Sequence, residues 1–251
     1  MIIILSGFGW IFTGANWISV DQGPGIGVRI GEQVLYTVIA LFFVFLIAVP
    51  AGLAIGHTGR GRNVAIIASN ISRALPTLGL LSVLILVLGV GLLPTIIVLV
   101  ILGIPPLLAG VYAGLESVNR DTIDAARAVG MTELQILFTV EIPLAAALLI
   151  GGLRSATLQI IATVAVAAIF GGGGLGRFVV DGQQQALYPK MYGGAILITV
   201  LALAIDGVYA LVQKFVVPRG VSRGSTGRKN AARGGGLPIA ATTRTLTREG
   251  Q

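Results

Sequence analysis

Two ionisable side chains stand inside long apolar runs of this chain, where a charge is costly. The 251 residues are 55% hydrophobic and 11% charged, yet Arg154 and Asp206 each fall within a run of helical length that is otherwise apolar. Each lies about ten residues, or roughly 15 Å of helix, from the end of its run that borders a polar segment. Ionisable groups at such depth are functional candidates. We expect a structural ion pair between them, with contact to a substrate as the alternative.

A second group of polar residues lies between two apolar runs, from Glu116 to Glu141, with five acidic and two basic residues. Acidic residues open a short helix over 121–130, and Gly130 predicts its left-handed end. A Thr-x-x-Gln sequence from Thr132 has capping-box spacing, which predicts a second helix directly afterwards. Pro143 is expected to end or redirect this second helix.

The first of these two helices has a surface with very small side chains. Ala125 and Ala126 follow Asp124 in the middle of the helix. A surface so bare allows the backbone of another protein to approach closely. The segment is therefore predicted to be a compact two-helix docking surface for a protein partner.

Several classes of chemistry are excluded by composition. The absence of cysteine and the single histidine, His57, remove disulfides, thiolate zinc sites and two-histidine metal sites. A phosphate-binding Gly-x-x-x-x-Gly-Lys-Ser/Thr loop is also missing, so we predict no metal, no cofactor and no enzymatic activity. Nucleic-acid binding is not expected, because a DNA-reading helix is basic whereas 132–141 carries no cation.

Membrane-spanning helices must position these side chains. Ordinary soluble domains carry about a quarter charged residues, and about 20 apolar residues cross a bilayer. The uncharged runs predict an all-α integral membrane protein with five core spans. These are 33–56, two within 74–115 separated by a turn at 89–94, a fourth that begins near Leu144 and includes 155–176, and 192–217.

The two ends of the chain differ from this core. Residues 1–18 are apolar but short, with no basic start or cleavage site, so we expect a helix on the outer surface rather than a signal peptide, with a weak sixth span as the alternative. The predicted organisation is an N-terminal segment with an outer loop at 1–31 and a transmembrane domain at 32–216. Residues 217–251 lack apolar periodicity and are rich in arginine, which predicts a disordered basic tail.

Positive charge predicts the orientation in the inner or plasma membrane. Lys and Arg predominate in cytoplasmic loops. The polar segment at 116–141, the Arg60-Gly61-Arg62 turn and the tail lie on one side of the five-span topology and hold most of the cations. The polar segment and the C-terminus are therefore predicted to be cytoplasmic.

A recognisable pattern is formed by Asp124-Ala125-Ala126, Gly130 and Ile142-Pro143. It resembles the EAA loop of the permease subunits of bacterial ATP-binding-cassette importers, in which Glu-Ala-Ala, three residues, Gly, nine residues and Ile-x-Leu-Pro follow one another. Here Asp replaces Glu and the downstream half fits only in outline. The resemblance implies a type I importer-like transmembrane domain in which a coupling loop, 117–143, contacts a separate ATPase subunit through these six residues.

The resemblance extends over roughly residues 33–216. Stretches at 89–95, 123–132, 153–157 and 170–176 are similar to permeases that import glycine betaine, choline, carnitine or proline as osmoprotectants. This implies alternating access driven by the ATPase, an extracytoplasmic substrate-binding protein, and a second permease subunit, identical or paralogous. Two alternatives stay open: a permease of this type for another small solute such as an amino acid, and a channel or secondary transporter.

Two further candidates come from proline and glycine. Pro76 is expected to break the second span, either to line the pathway or as a simple kink. A glycine-rich loop is expected on the outer side, where it meets the binding protein, closes an outer gate, or merely turns the chain. It contains Gly171, Gly172, Gly173, Gly174 and Gly176.

Overall fold

The residues that the structure describes fold almost entirely into helices, as the apolar runs predict. The computed structural model describes residues 2–21, 23–59, 63, 67, 70 and 75–216. The basic tail predicted at 217–251 and the turn at 60–62 therefore lie outside the described residues.

Short connections join the described helices except over 59–76, where most residues lie outside the described part of the chain. In chain order they are α1 (Ile2–Phe12), α2 (Ala15–Ile18), α3 (Ile26–Thr58), α4 (Thr77–Leu88), α5 (Leu92–Glu116), α6 (Arg120–Ala128), α7 (Glu133–Ile136), α8 (Ile142–Ala167), α9 (Gly176–Gln184) and α10 (Tyr188–Val216). A π-helical turn, Leu137–Glu141, joins α7 to α8, and a 3-10 turn, Ala168–Phe170, follows α8. Between α2 and α3, strands β1 (Ser19–Val20) and β2 (Gly23–Pro24) pair antiparallel, with Ser19 opposite Pro24.

Four helical segments of the described chain are long and apolar enough to cross a membrane: 26–58, 92–116, 133–170 and 188–216. The remaining predicted span falls on α4, which is apolar but has 12 residues, a length of about 18 Å. The predicted turn after it is present, since Gly89 has a φ of +82° and α5 begins three residues later.

The helices are longer than the uncharged runs that predicted them. α3 begins at Ile26, seven residues before the predicted span begins at Gln33. The additional residues include Arg29 and Glu32. A charge limits how deep a residue sits in the bilayer but does not stop the backbone from continuing its helix into water. Absence of charge therefore marks the membrane-embedded part of each helix rather than its ends.

Glycine allows the central helices to approach each other closely. α5 crosses α8 where a Cβ built on Gly110 would lie 2.4 Å from the Cα of Gly152. Because lipid tails are as apolar as leucine, helices in a membrane associate largely through such close packing. α3 packs against both, through a core that includes Val44, Leu107 and Ile160. These three helices carry the coupling loop at one end and the glycine-rich loop at the other.

The N-terminal helix packs beside α9 and α10, and a Cβ built on Gly193 of α10 would lie 2.4 Å from the Trp10 ring. The Trp10 ring meets the Phe178 ring edge-on, with centroids 5.2 Å apart, and Nζ of Lys190 lies 2.7 Å from Oδ2 of Asp21. α1 has 11 residues, about 16 Å of helix, whereas the hydrocarbon core is about 30 Å thick. Its location on the outer membrane surface stays a prediction.

Candidate functional site

The first helix of the coupling loop forms where the sequence predicts it. Asn119 caps α6 by accepting the N–H of Asp121 at 2.9 Å, and Asp121 faces the positive end of the helix dipole. At the other end Gly130 has a φ of +88°. The N–H groups of Gly130 and Met131 return to the carbonyls of Arg127 and Ala126, which is a Schellman motif. Helix α6 is therefore closed at both ends.

The second helix of the loop begins with the predicted capping box. Thr132 Oγ1 accepts the N–H of Gln135, and the Gln135 side chain accepts the N–H of Thr132 at 2.9 Å. The expectation that Pro143 ends a helix is wrong, because the chain stays helical from Glu133 to Phe170, while a change of direction there stays a prediction. Pro143 lies in the first turn of α8, directly after the π-helical turn. Proline lacks an N–H and crowds the carbonyl four residues earlier, and we attribute the widened turn to this.

The two loop alanines face different ways. Ala125 and Asp124 are exposed, but Ala126 is only 8% exposed and packs in the main core with Ile123. The prediction that both alanines form the bare outer surface is therefore wrong for Ala126. Neighbouring helical residues point 100° apart, and only the packed structure shows which of the two faces inwards.

Exposed apolar side chains also occur elsewhere in the loop. Val129 is 79% exposed, Leu134 69% and Phe138 61%. Together with Asp124 and Ala125 they are called here the outer face of the loop. Of the other two motif residues, Ile142 packs against the main core, while Pro143 is exposed. Apolar side chains exposed beside charged ones are typical of a protein interface.

Ion pairs fix α6 to the start of α7. Arg127 donates from Nε to Glu133 Oε1 at 2.7 Å and from Nη2 to Oε2 at 3.0 Å, and from Nη1 to Asp124 at 3.1 Å. By accepting these bonds, the Glu133 carboxylate raises the pKa of the Arg127 guanidinium above its ordinary value. The two helices are therefore held together as one unit.

One contact of the loop was not predicted from the sequence. His57, one residue before the end of α3, lies between two loop carboxylates, with Nδ1 2.7 Å from Glu141 and Nε2 3.3 Å from Glu133. His57 and Glu141 are 84 residues apart. The only sequence signal was that the single histidine ends an apolar run, which does not identify a partner.

Within the bundle, Arg154 of α8 and Asp206 of α10 lie together. Nε and Nη2 of the guanidinium donate to the two carboxylate oxygens. Three residues later in the sequence of each helix, the hydroxyls of Thr157 and Tyr209 are 2.9 Å apart. Both charged side chains keep part of their surface exposed in the single chain, so they lie at the edge of the bundle rather than in its centre.

The glycine-rich loop at 171–176 is bound to the start of α3. The N–H of Gly174 donates to Glu32 at 2.8 Å and that of Leu175 to Gln33 at 3.2 Å. Gln33 also donates to the carbonyl of Ile161 at 2.9 Å, which ties α3 to α8. Gly171 and Gly174 have φ values of +83° and +85°, a region that favours glycine. The loop thus joins three helices at the end of the bundle opposite the coupling loop.

Replacing Gly176 with Ala is expected to destabilise the protein by about 1–3 kcal/mol, because the new Cβ would lie 2.1 Å from the carbonyl oxygen of Ala165. The midpoint of thermal unfolding of the purified protein in detergent measures this. Gly207→Ala is the matched control, since a Cβ added to Gly207, in α10, would meet nothing within 4 Å. Equal midpoints for the two variants would contradict the close packing at Gly176.

Pro76 immediately precedes α4, with a φ of −72° and a ψ of 108°. It therefore stands at the N-terminal boundary of α4. Residues 71–74, on its other side, lie outside the described residues. Whether Pro76 lines a pathway stays a prediction.

A bundle of long apolar helices with a capped two-helix loop is the architecture of a polytopic membrane protein. Residues 45–219 match the family described as binding-protein-dependent transport system inner membrane component. The chain belongs to this family.

Relatives of known role are similar over most of the chain. The glycine betaine/carnitine/choline transport system permease protein OpuCB of Bacillus subtilis (strain 168) is 35% identical over 80% of this chain and 92% of its own length. The choline transport system permease protein OpuBB of the same organism is 34% identical over 76% and 88%. Both relatives are transport permease subunits.

A solved structure has the same fold. The inward-facing MetNI methionine ABC transporter contains a chain that matches with a TM-score of 0.65 and 25% identity, over 77% of this chain and 97% of that one. The protein is therefore a helical membrane permease with the transmembrane fold of an ABC importer, as the sequence predicts.

Proposed function

We propose that this chain is the permease subunit of an ATP-driven importer of compatible solutes such as glycine betaine, choline, carnitine or proline. The 35% identity to a glycine betaine/carnitine/choline permease over 92% of that relative's length carries the proposal. The chain itself hydrolyses no ATP; a separate ATPase subunit does so.

The ATPase subunit docks on the outer face of the loop. This surface combines a small side chain at Ala125, the acidic Asp124, and three exposed apolar side chains. The capped ends of α6 and its ion pairs to α7 make the loop a rigid body. A rigid body passes a displacement on to α5 and α8, to which it is covalently joined, and these helices then expose the solute pathway to alternate sides.

The coupling loop and the C-terminus face the cytoplasm. His57, at the C-terminal end of α3, contacts the loop, while the glycine-rich loop contacts the other end of the same helix. The two loops therefore lie at opposite ends of the bundle, as the predicted topology requires. The glycine-rich loop accordingly faces the extracytoplasmic substrate-binding protein.

A second permease subunit, identical or paralogous, completes the pathway. The end of α4 and the turn after it expose large apolar side chains, with Leu86 85% exposed and Val87 75%. In the membrane these side chains face either lipid or the second subunit, and such packing needs no polar contact.

Uptake of labelled glycine betaine in cells with and without the gene, at low and high osmolarity, tests the proposal. We expect gene-dependent, energy-requiring uptake that unlabelled choline, carnitine or proline inhibits. The structural similarity to a methionine transporter favours an amino acid as the second candidate, so methionine is included as a competitor. Gene-dependent methionine uptake without betaine uptake would replace the proposed solute and keep the importer.

A further inference from the structure

His57 connects the coupling loop to a helix that is not its neighbour in the chain. The loop is covalently joined to α5 and α8, whereas α3 is separated from it by α4 and α5. The imidazole contacts Glu141 of the π-helical turn and Glu133 at the start of α7. Glu133 in turn holds Arg127 of α6. A continuous series of polar contacts therefore runs from the docking helix to the end of α3.

The contact with Glu141 is buried, and the contact with Glu133 is not. Glu141 is 3% exposed, and a carboxylate taken out of water needs a partner to remain charged. The side chain of Glu133 is 54% exposed and already paired with Arg127. The first contact thus supports folding, while the second adds a connection that folding does not require.

We propose that His57 is a positioning residue that transmits movement of the ATPase-docking helix to α3 through Glu133. This inference rests on the proposed function. In the absence of the Glu133 contact, the end of α3 would still contact Glu141 and pack against α5, but it would lose its connection to α7 and, through Arg127, to the docking helix. Transport requires the helices around the pathway to move together, so ATP hydrolysis would then be uncoupled from uptake.

Two amide variants separate these contacts. The side-chain amide of Asn lies where Nδ1 of histidine lies, so His57→Asn keeps a hydrogen-bonding group for Glu141 and removes Nε2, the ring atom that lies 3.3 Å from Glu133. Glu133→Gln removes the charge on the other side of the same contact. Asp21→Asn is the matched control, because it also removes a charge from an ion pair, the one with Lys190, whose side chain is 5% exposed. This pair lies near the opposite end of α3, away from the coupling loop.

The first measurement is labelled glycine betaine taken up per ATP hydrolysed by the reconstituted complete transporter. His57→Asn and Glu133→Gln are each expected to lower this ratio about tenfold, which is a typical strength of coupling between two sites. The amount of assembled complex is expected to stay normal. Asp21→Asn is expected to lower stability and leave the ratio unchanged. A ratio equal to that of the wild type in His57→Asn would overturn the inference.

A second measurement needs no solute. The chain has no cysteine, so Ala54→Cys, exposed near the end of α3, places one thiol in this subunit. We expect ATP with vanadate to change its labelling rate in the otherwise wild-type complex, and this change to disappear with His57→Asn. A change that persists in the His57→Asn complex, or is absent from the wild type, would contradict the inference. Absence of an ATPase subunit from the purified complex would instead overturn the proposed function.

Discussion

Replacing Ala125 with Trp is expected to abolish ATP-driven uptake, with a loss of about a hundredfold, typical of a residue at the centre of an interface. Ala125 is exposed in the middle of α6, so the indole keeps the ATPase subunit from approaching the helix. The bundle itself is not disturbed, because the side chain points away from the core. Co-purification of the ATPase subunit with the permease measures docking directly, and uptake measures its consequence.

Two further variants make this result specific. Ala15→Trp introduces the same side chain at another exposed alanine, in α2, and is expected to retain the ATPase subunit. Ala126→Leu is expected to act differently, since Ala126 is buried. It overfills the core at a cost of about 1–3 kcal/mol and reduces the amount of folded permease. Normal ATPase binding by Ala125→Trp would refute the docking role of Ala125 and place the ATPase contact elsewhere on the permease.

Removal of either Arg154 or Asp206 alone is expected to reduce uptake by about tenfold or more, because the remaining charge has no partner inside the membrane. The two side chains form a two-pronged ion pair between α8 and α10. The exchanged double variant, Arg154→Asp with Asp206→Arg, restores opposite charges at the same depth. We expect the exchanged variant to recover much of the uptake. We also expect more permease in the membrane than for either single variant, as measured by immunoblotting.

The pattern of these variants also tests what the pair does. A structural pair predicts that a double replacement by Leu transports nearly as well as the wild type, since an apolar pair needs no partner in lipid. A contact with solute predicts instead that the double Leu variant inserts normally but fails to transport. A charge exchange that rescues neither insertion nor uptake, while both single variants fail, would argue against pairing.

The membrane-embedded architecture and the coupling loop were readable from the sequence, since each rests on local rules. About 20 uncharged residues mark a membrane crossing wherever they occur, so four spans and the break at Gly89 follow directly. The caps of α6 and α7 involve residues a few positions apart, such as Thr132 with Gln135. The depths of Arg154 and Asp206 followed from counting residues along their helices. Their pairing was predictable as an exception, because they are two opposite charges at the same depth within otherwise apolar runs.

The tertiary structure alone decided contacts that depend on how each helix is rotated about its axis. It buried Ala126 and exposed Ala125, although both lie in the same turn of one helix. It brought His57 to Glu141 across 84 residues and Glu32 to the glycine-rich loop across 142. Composition and periodicity report the polarity of a segment but carry no information about which distant segment faces it, because that choice is made when the whole bundle packs.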